Sequence, residues 1–193
     1  MSSIASVSPR TLADVIPGGV VRSAALVAGG AALVGLSAQI AIPLGFTPVP
    51  LSLQTFSVLL VGAVLGSKRG AASMALYALA GVAGVPWFSA HQSGWAFASF
   101  GYVLGFILAA YLVGLLAERG SDRHVLKSVG LMVLGNAVIY AFGVVGLMLF
   151  TGWTVPVALA KGVLPFLAGD AIKIVVAAGL LPATWKLVSR RLG

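Results

Sequence analysis

Residues 128–150 read SVGLMVLGNAVIYAFGVVGLMLF and contain no charged side chain. A helix of roughly 20 apolar residues is long enough to cross the hydrocarbon core of a bilayer. Other long apolar runs occur on both sides of this one, at 23–43, 51–66, 70–86, 100–117 and 162–186. The sequence therefore predicts an all-α, polytopic membrane protein, with one domain of six transmembrane helices at residues 23–188.

The composition agrees with a membrane protein and excludes other classes. Of the 193 residues, 60% are hydrophobic and 8% are charged, whereas ordinary globular domains have about 25% charged residues. So few charges do not cover a soluble surface, and disordered chains are poor in apolar residues. The net charge of +8 comes from basic residues that lie mainly between the apolar runs. We therefore expect a lipid bilayer around the chain and no nucleic-acid partner.

The two ends of the chain lack the apolar pattern. Residues 1–22 are rich in Ser, Pro and Gly and are predicted to form a flexible cytoplasmic tail. Residues 189–193 are predicted to be a cytoplasmic tail at the other end. A cleaved signal peptide within residues 1–38 is the alternative. The string Gly35-Leu36-Ser37 faintly resembles a cleavage site, but the apolar run is long for a signal peptide.

The lysines and arginines are distributed unequally between the loops. If the loops alternate between the two faces, one face receives ten of these residues and the other receives only Lys161. The ten are Arg10, Arg22, Lys68, Arg69, Arg119, Arg123, Lys127, Lys186, Arg190 and Arg191. Because Lys and Arg accumulate in cytoplasmic loops, both termini are predicted to be cytoplasmic.

The motifs of common enzymes are missing from the sequence. The string from Gly62 to Lys68 has the wrong spacing for a phosphate-binding loop. The chain has no Cys and only two His, which argues against a metal site. It also has no Gly-x-Ser-x-Gly string. We therefore expect a protein that is not an enzyme and that holds no metal or cofactor.

Two opposite charges interrupt the last apolar run. Asp170 and Lys173 are three residues apart, so they share one face of a helix. A lone charge at the bilayer centre costs roughly 2.5–3.5 kcal/mol, and a neighbouring opposite charge offsets part of this cost. Asp170 is predicted to lie about 8 residues, or roughly 12 Å, from the outer end of its helix. We interpret the pair as a site for a small polar ligand; a structural ion pair between helices is the alternative.

Other polar and aromatic residues are candidates for the same site. Gln54 and Thr55 open the second run at the predicted depth of Asp170, and Tyr102 and Asn136 are also candidates. Hydrogen bonding between helices is the alternative role of these residues, and of Tyr140. Trp87 and Phe88 belong to an aromatic loop, residues 86–97, which is predicted to be a lid over the ligand or an aromatic belt at the membrane interface.

Small residues form a stripe on the first predicted helix. Ala24, Ala28 and Ala32 recur at every fourth position and share one face. Such a stripe allows another helix to approach closely. It therefore indicates either contacts inside the bundle or a docking face for another membrane subunit.

Four strings occur in order along the chain: IPLGFTPVPLSLQTF at 42–56, GSKRG at 66–70, GYVLGF at 101–106 and PFLAGDAIK at 165–173. Together they resemble the BioY family, which comprises the biotin-binding S-components of energy-coupling-factor (ECF) transporters. The resemblance runs from about Leu36 to Val176. It implies a six-helix bundle with an outward-facing vitamin pocket, in which Asp170 and Lys173 contact biotin. It also implies that Gln54, Thr55 and Tyr102 are neighbours of the pocket.

The same resemblance implies partners and a location. It implies that the chain lies in the bacterial cytoplasmic (inner) membrane and works with an ECF transmembrane coupling protein and ABC-type ATPases. The family docks its coupling protein through an Ala-x-x-x-Ala stripe on the first helix, which Ala24, Ala28 and Ala32 fit. A second hypothesis is a secondary transporter in which Asp170 cycles protons. A third hypothesis is a membrane scaffold that transports nothing.

Overall fold

The computed structural model describes residues 9–192 and is mainly helical. Its α-helices are α1 (Val20–Ala38), α2 (Gln54–Leu65), α3 (Ser67–Val82), α4 (Phe100–Ala117), α5 (Val125–Thr151), α6 (Val155–Gly162) and α7 (Leu167–Leu192). Short 3-10 helices cover Leu12–Val15, Ser89–His91, Ser121–Arg123 and Leu164–Phe166. Strands β1 (Ala41–Ile42) and β2 (Leu51–Ser52) form a small antiparallel hairpin between α1 and α2.

The helices follow the predicted apolar runs, with some changes of boundary. The predicted run 100–117 coincides with α4, whereas α2 and α3 have only 12 and 16 residues. In the described part of the chain, four helical segments are long and apolar enough to cross a membrane. They are Val20–Ala38, Phe100–Ala117, Val125–Thr151 and Val155–Arg190, the last of which joins α6 and α7. The mainly helical membrane class is thus confirmed, while six crossings and the orientation stay predictions.

Glycines bring the central helices into backbone contact. A Cβ atom at Gly101 of α4 would lie 2.6 Å from Phe142 O of α5, and one at Gly146 would lie 2.6 Å from Gly101 Cα. A Cβ at Gly62 of α2 would likewise lie 2.7 Å from Ala110 O of α4. Since glycine has no Cβ, these positions allow a close approach that larger residues prevent. The buried core surrounds α4, with contributions from Val58, Met74, Val113, Ile139 and Leu147.

The last predicted span, 162–186, is not a single helix. The chain forms α6 up to Gly162, then a 3-10 turn at Leu164–Phe166, and only then α7. Pro165 explains the break, because proline has no N–H to donate and disfavours helical backbone in the residue before it. Asp170 therefore lies in the first turn of α7. It is about 4.5 Å along the axis from the start of that helix, rather than the predicted distance of roughly 12 Å.

Part of the predicted N-terminal tail is folded. The 3-10 helix at Leu12–Val15 buries Ala13, and the side chain of Asp14 accepts hydrogen bonds from Arg69 of α3 and from Thr11. Burial alone would raise the pKa of Asp14, but the hydrogen bonds from Arg69 and Thr11 hold this pKa below its ordinary value. The structure therefore differs from a flexible tail at residues 11–16. The tail's first eight residues, 1–8, lie outside the described residues.

The predicted tail at the other end of the chain is helical where it is described. Residues 189–192 continue α7, and 193 lies outside the described residues. This helix is anchored by Trp185, whose Nε1 donates to Asp122 Oδ2 at 2.5 Å in the loop between α4 and α5. Burial raises the pKa of Asp122, although the Trp185 bond opposes this shift. The guanidinium of Arg123 stacks on the Trp185 ring at 4.3 Å.

Candidate ligand-binding site

A cavity opens between the N-terminal ends of three helices. Its walls come from Leu51 and Ser52 of β2, from the first turns of α2, α4 and α7, from Tyr140 of α5 and from the loop before α4. Within it, the space that the centres of water molecules can reach is about 50 Å³. Five of the predicted substrate-binding residues line it together: Gln54, Thr55, Tyr102, Asp170 and Lys173, with Phe88 as a sixth.

The ammonium group of Lys173 has three acceptors around it. Lys173 Nζ donates to Ser52 O at 2.8 Å, to Thr55 Oγ1 at 3.0 Å and to Asp170 Oδ1 at 3.0 Å. Its side chain is 14% exposed. Because an ammonium group has three protons, these contacts use its full donor capacity. They also join α7 to the start of α2, which explains why Thr55 belongs to the site.

The carboxylate of Asp170 is shared between two helices. While Oδ1 accepts from Lys173, Oδ2 accepts a hydrogen bond from the hydroxyl of Tyr140 on α5. The Asp170 side chain is only 6% exposed, and both of its oxygens still have lone pairs free to accept further bonds. Tyr140 was predicted only to bond neighbouring helices. Nothing in the sequence indicates that it meets a carboxylate thirty positions later.

The amide of Gln54 is held by two further hydroxyl groups. Gln54 Nε2 donates to Tyr77 OH at 2.6 Å, and Ser89 Oγ lies 3.2 Å from Gln54 Oε1. Tyr77 in turn donates to Trp87 O at 3.2 Å. All three side chains of this group are buried. The orientation of the Gln54 amide is therefore fixed, with nitrogen towards Tyr77 and oxygen towards Ser89.

The aromatic loop contributes one face of the cavity. Phe88 and Phe97 line it, with ring centroids 5.4 Å apart, and Phe88 also packs edge-on against Tyr77 at 5.1 Å. Only 1% of Phe88 is exposed, because its ring sits over Gly81, where a side chain would overlap it. The loop reaches this shape through left-handed backbone at Ala90 and His91. Left-handed backbone is uncommon in residues other than glycine, so the sequence did not indicate the turn.

Two predicted site residues lie outside the lining of this cavity. Trp87 packs against Tyr77 with ring centroids 5.1 Å apart, and its Nε1 donates to Tyr77 O at 3.0 Å. Asn136 lines a smaller crevice between α2, α5 and α7, which it shares with one face of Lys173. Trp87 thus supports the wall from behind, and Asn136 lies beneath Lys173 rather than beside the main cavity.

Tyr102 connects the cavity to the break before α7. Its ring lines the cavity. Its hydroxyl donates, at 2.7 Å, to the carbonyl oxygen of Gly162, which is the last residue of α6. Only 5% of Tyr102 is exposed. This bond satisfies a carbonyl that the interrupted helix leaves without an intrahelical partner. Tyr102 therefore offers a ligand its aromatic ring, while the hydroxyl is engaged in the fold.

The alanine stripe of α1 lies away from the cavity. Ala24, Ala28 and Ala32 are exposed, as are Leu33 and Leu36 beside them. The opposite side of α1 contains the buried residues Ala31 and Val34. An apolar, exposed stripe of small side chains agrees with a surface against lipid or another helix.

Comparison with known proteins places this arrangement in a family. Residues 6–190 match the family described as BioY. The "Biotin transporter BioY" of Thermotoga maritima is 41% identical over 150 residues, which cover 76% of this chain and 86% of that protein. The "Probable biotin transporter BioY" of Pyrococcus horikoshii is 37% identical over 159 residues, covering 81% and 91%. These relatives are named as transporters, not as enzymes.

A solved structure has the same fold. The crystal structure of the S-component for biotin from an ECF-type ABC transporter superimposes with a TM-score of 0.77. The alignment covers 86% of this chain and 92% of the other chain, at 21% sequence identity. At this identity the likeness concerns the fold of the helical bundle.

Proposed function

Because the chain belongs to the BioY family, we propose that it is the biotin-binding membrane subunit, or S-component, of an ECF-type uptake transporter. Biotin binds in the cavity at the N-terminal ends of α2, α4 and α7. The observation that carries this proposal is the buried pair of Asp170 and Lys173 at the cavity wall, held by Tyr140 and Thr55. Buried charges inside a membrane domain are usually functional.

The donor and acceptor pattern of the wall suits the ureido ring of biotin. This ring carries two N–H donors and one carbonyl acceptor in a plane. Asp170 retains lone pairs for an N–H, which the ureido ring supplies and the valerate carboxylate lacks. Lys173 donates to the ligand by exchanging Ser52 O or Thr55 Oγ1 for a ligand oxygen. We therefore place the ureido ring beside Asp170.

The remaining walls suit the apolar part of biotin. Phe88, Phe97 and Tyr102 present aromatic surface to the cavity, and Val49 and Phe106 add apolar surface. Burying the thiophane ring and aliphatic chain against these groups favours binding by roughly 25 cal/mol for each Å² removed from water. Trp87 and Asn136 contribute indirectly, through Tyr77 and through the crevice below Lys173.

The proposed topology has six crossings, with both termini in the cytoplasm of a bacterial cell. The loops on one face contain ten Lys and Arg residues and those on the other contain one, which supports this orientation. With this orientation the cavity opens to the outside, where a vitamin is captured. The short helices α2 and α3 cross where longer neighbours surround them.

Transport requires partners, because the chain contains no phosphate-binding loop. We propose a transmembrane coupling protein and ABC-type ATPases as these partners. The exposed stripe of Ala24, Ala28 and Ala32 on α1 is the docking face for the coupling protein.

Equilibrium binding of radiolabelled biotin to the purified protein in detergent tests the site. Asp170→Asn and Lys173→Met are each expected to weaken binding at least about tenfold, because a hydrogen bond to a charged group contributes about 1.5–3 kcal/mol. Lys186→Met, an exposed lysine on the same helix, is the matched control and retains binding.

The double variant Asp170→Asn/Lys173→Met separates a ligand site from a structural ion pair. It removes both buried charges, so it avoids the unpaired charge that destabilises each single variant. If the pair only stabilised the bundle, the double variant would bind biotin normally, and the proposed site would be wrong. Biotin uptake by this chain alone in proteoliposomes, driven by a pH gradient, would instead support a secondary transporter.

A further inference from the structure

A second, larger cleft lies at the opposite end of the bundle from the biotin cavity. It is formed by the 3-10 helix at Leu12–Val15, the first turns of α1 and α3 and the end of α4, and the centres of water molecules can reach about 460 Å³ of it. Four basic and two acidic side chains line it: Arg10, Arg22, Lys68, Arg69, Asp14 and Glu118. In the proposed topology this end faces the cytoplasm. We call it the basic cleft.

The two acidic side chains of the basic cleft are already engaged. Asp14 accepts from Arg69, and its Oδ1 lies 3.7 Å from Arg22 Nη2, which also donates to Ala13 O at 2.6 Å. Glu118 Oε1 accepts from the backbone N of Ser67 at 2.7 Å and from its hydroxyl at 2.8 Å. Glu118 therefore caps α3, where an acidic group is favourable.

Positive charge remains after these pairings. Within the described residues, Arg10 and Lys68 have no carboxylate partner, and both side chains are exposed to the cleft. The cleft therefore has an excess of two positive charges, which Arg10 and Lys68 supply. These features indicate an anionic ligand with oxygen acceptors.

The surface beside the basic cleft is apolar. Val20 and Val21, which precede Arg22 in the first turn of α1, are 85% and 84% exposed. Ile16 is 53% exposed next to them. A ligand that fits both surfaces has a negatively charged head and an apolar tail. Anionic lipids of the cytoplasmic leaflet have this form, and basic pockets at the cytoplasmic ends of helices bind their head groups.

We propose that the basic cleft binds the phosphate oxyanion of an anionic phospholipid such as phosphatidylglycerol. Arg10 and Lys68 hold the phosphate, and the acyl chains lie along Val20 and Val21 of α1. The proposal depends on the membrane location of the chain but not on biotin binding, so biotin affinity is an independent readout.

Thermal unfolding in lipid nanodiscs tests this proposal. The protein is compared in phosphatidylcholine alone, in phosphatidylcholine with phosphatidylglycerol, and in phosphatidylcholine with soluble glycerol 3-phosphate. Phosphatidylglycerol is expected to raise the Tm by about 2–4 °C, the size of a shift that roughly 1 kcal/mol of binding produces. Soluble glycerol 3-phosphate is expected to have less effect, because it lacks the acyl chains.

A pair of charge-matched variants identifies the cleft. Arg10→Gln/Lys68→Gln removes two exposed cations of the cleft and is expected to abolish the Tm shift. Arg119→Gln/Lys127→Gln removes two exposed cations from the same end of the bundle outside the cleft, and keeps the shift. Unchanged biotin binding in both variants shows that they are folded.

Three results would overturn the proposal. The first is a wild-type Tm that does not respond to phosphatidylglycerol. The second is an equal loss of the shift in both double variants, which indicates general surface electrostatics. The third is a glycerol 3-phosphate effect as large as that of the lipid, which assigns the cleft to a soluble anion.

Discussion

The hydroxyl of Tyr140 on α5 donates a hydrogen bond to Asp170 Oδ2 on α7, while Lys173 donates to Oδ1 of the same carboxylate. Lys173 binds the other oxygen from one helical turn away and also reaches the start of α2. The carboxylate is therefore fixed by groups from two helices before any ligand arrives. A fixed acceptor lowers the entropy that binding must overcome.

Tyr140→Phe is expected to weaken biotin binding while leaving the fold intact. The change removes one hydrogen bond to a buried carboxylate, which contributes about 1.5–3 kcal/mol and corresponds to roughly a 10-fold to 100-fold loss of affinity. Equilibrium binding of radiolabelled biotin measures it. Tyr111→Phe, at an exposed tyrosine of α4, is the control. Equal affinities for the two variants would show that Tyr140 does not position Asp170.

Tyr77→Phe is expected to lower stability through Gln54. Without the Tyr77 hydroxyl, the Gln54 Nε2 group loses an acceptor at 2.6 Å, and the buried polar atom is left unpaired. An unsatisfied buried donor costs about 1–3 kcal/mol, which corresponds to a fall in Tm of a few degrees. Thermal unfolding in detergent measures the effect. A Tm equal to that of the wild type would mean that Gln54 finds another acceptor.

Asp122 is expected to make stability depend on pH. Because burial raises its pKa in the folded protein, the folded state keeps its proton over a range where the unfolded chain has lost it. The contribution of Asp122 to stability is therefore greatest below the ordinary aspartate pKa of about 3.9 and falls as the pH rises towards the folded value. Asp122→Asn retains an acceptor for Trp185 and should show a smaller fall in Tm across this range. An identical pH dependence in wild type and variant would contradict this expectation.

Asp14 is expected to act in the opposite sense. Its pKa is lowered in the folded protein, so its contribution to stability is present above the unfolded value of about 3.9 and is lost as the pH falls below it. The side chain is 30% exposed, and solvent screening limits this contribution to about 1 kcal/mol or less. Asp14→Asn should lower the Tm slightly at pH 7 and leave it unchanged at low pH. A variant that matches the wild type at pH 7 would show that the Arg69 pair adds no stability.

Hydrophobicity predicts the boundaries of a helix well where polar residues mark both of its ends. The run 100–117 coincides with α4 because the polar residue Ser99 precedes it and Glu118 follows it. The break before α7 was missed, because Val163 to Phe166 is as apolar as the segments beside it. A proline at the start of a helix and a proline in a break give the same local pattern.

Helical periodicity predicted only the part of the site that lies on one helix. Asp170 and Lys173 share a face because they are three residues apart in one helix. The contact of Asp170 with Tyr140 depends on how α5 packs against α7. Which of Phe88 and Trp87 lines the cavity depends on the path of their loop, which includes left-handed backbone at Ala90. Such tertiary and loop geometry leaves no mark on hydrophobic periodicity.

The contact between Gly101 and Gly146 limits how this protein can move. Because their main chains touch at these glycines, we expect α4 and α5 to shift little against one another. We therefore expect a ligand to enter and leave by displacement of the hairpin before α2 and the aromatic loop before α4, which both line the cavity. The connecting segments would then control access to the cavity, while α4 and α5 stay in place.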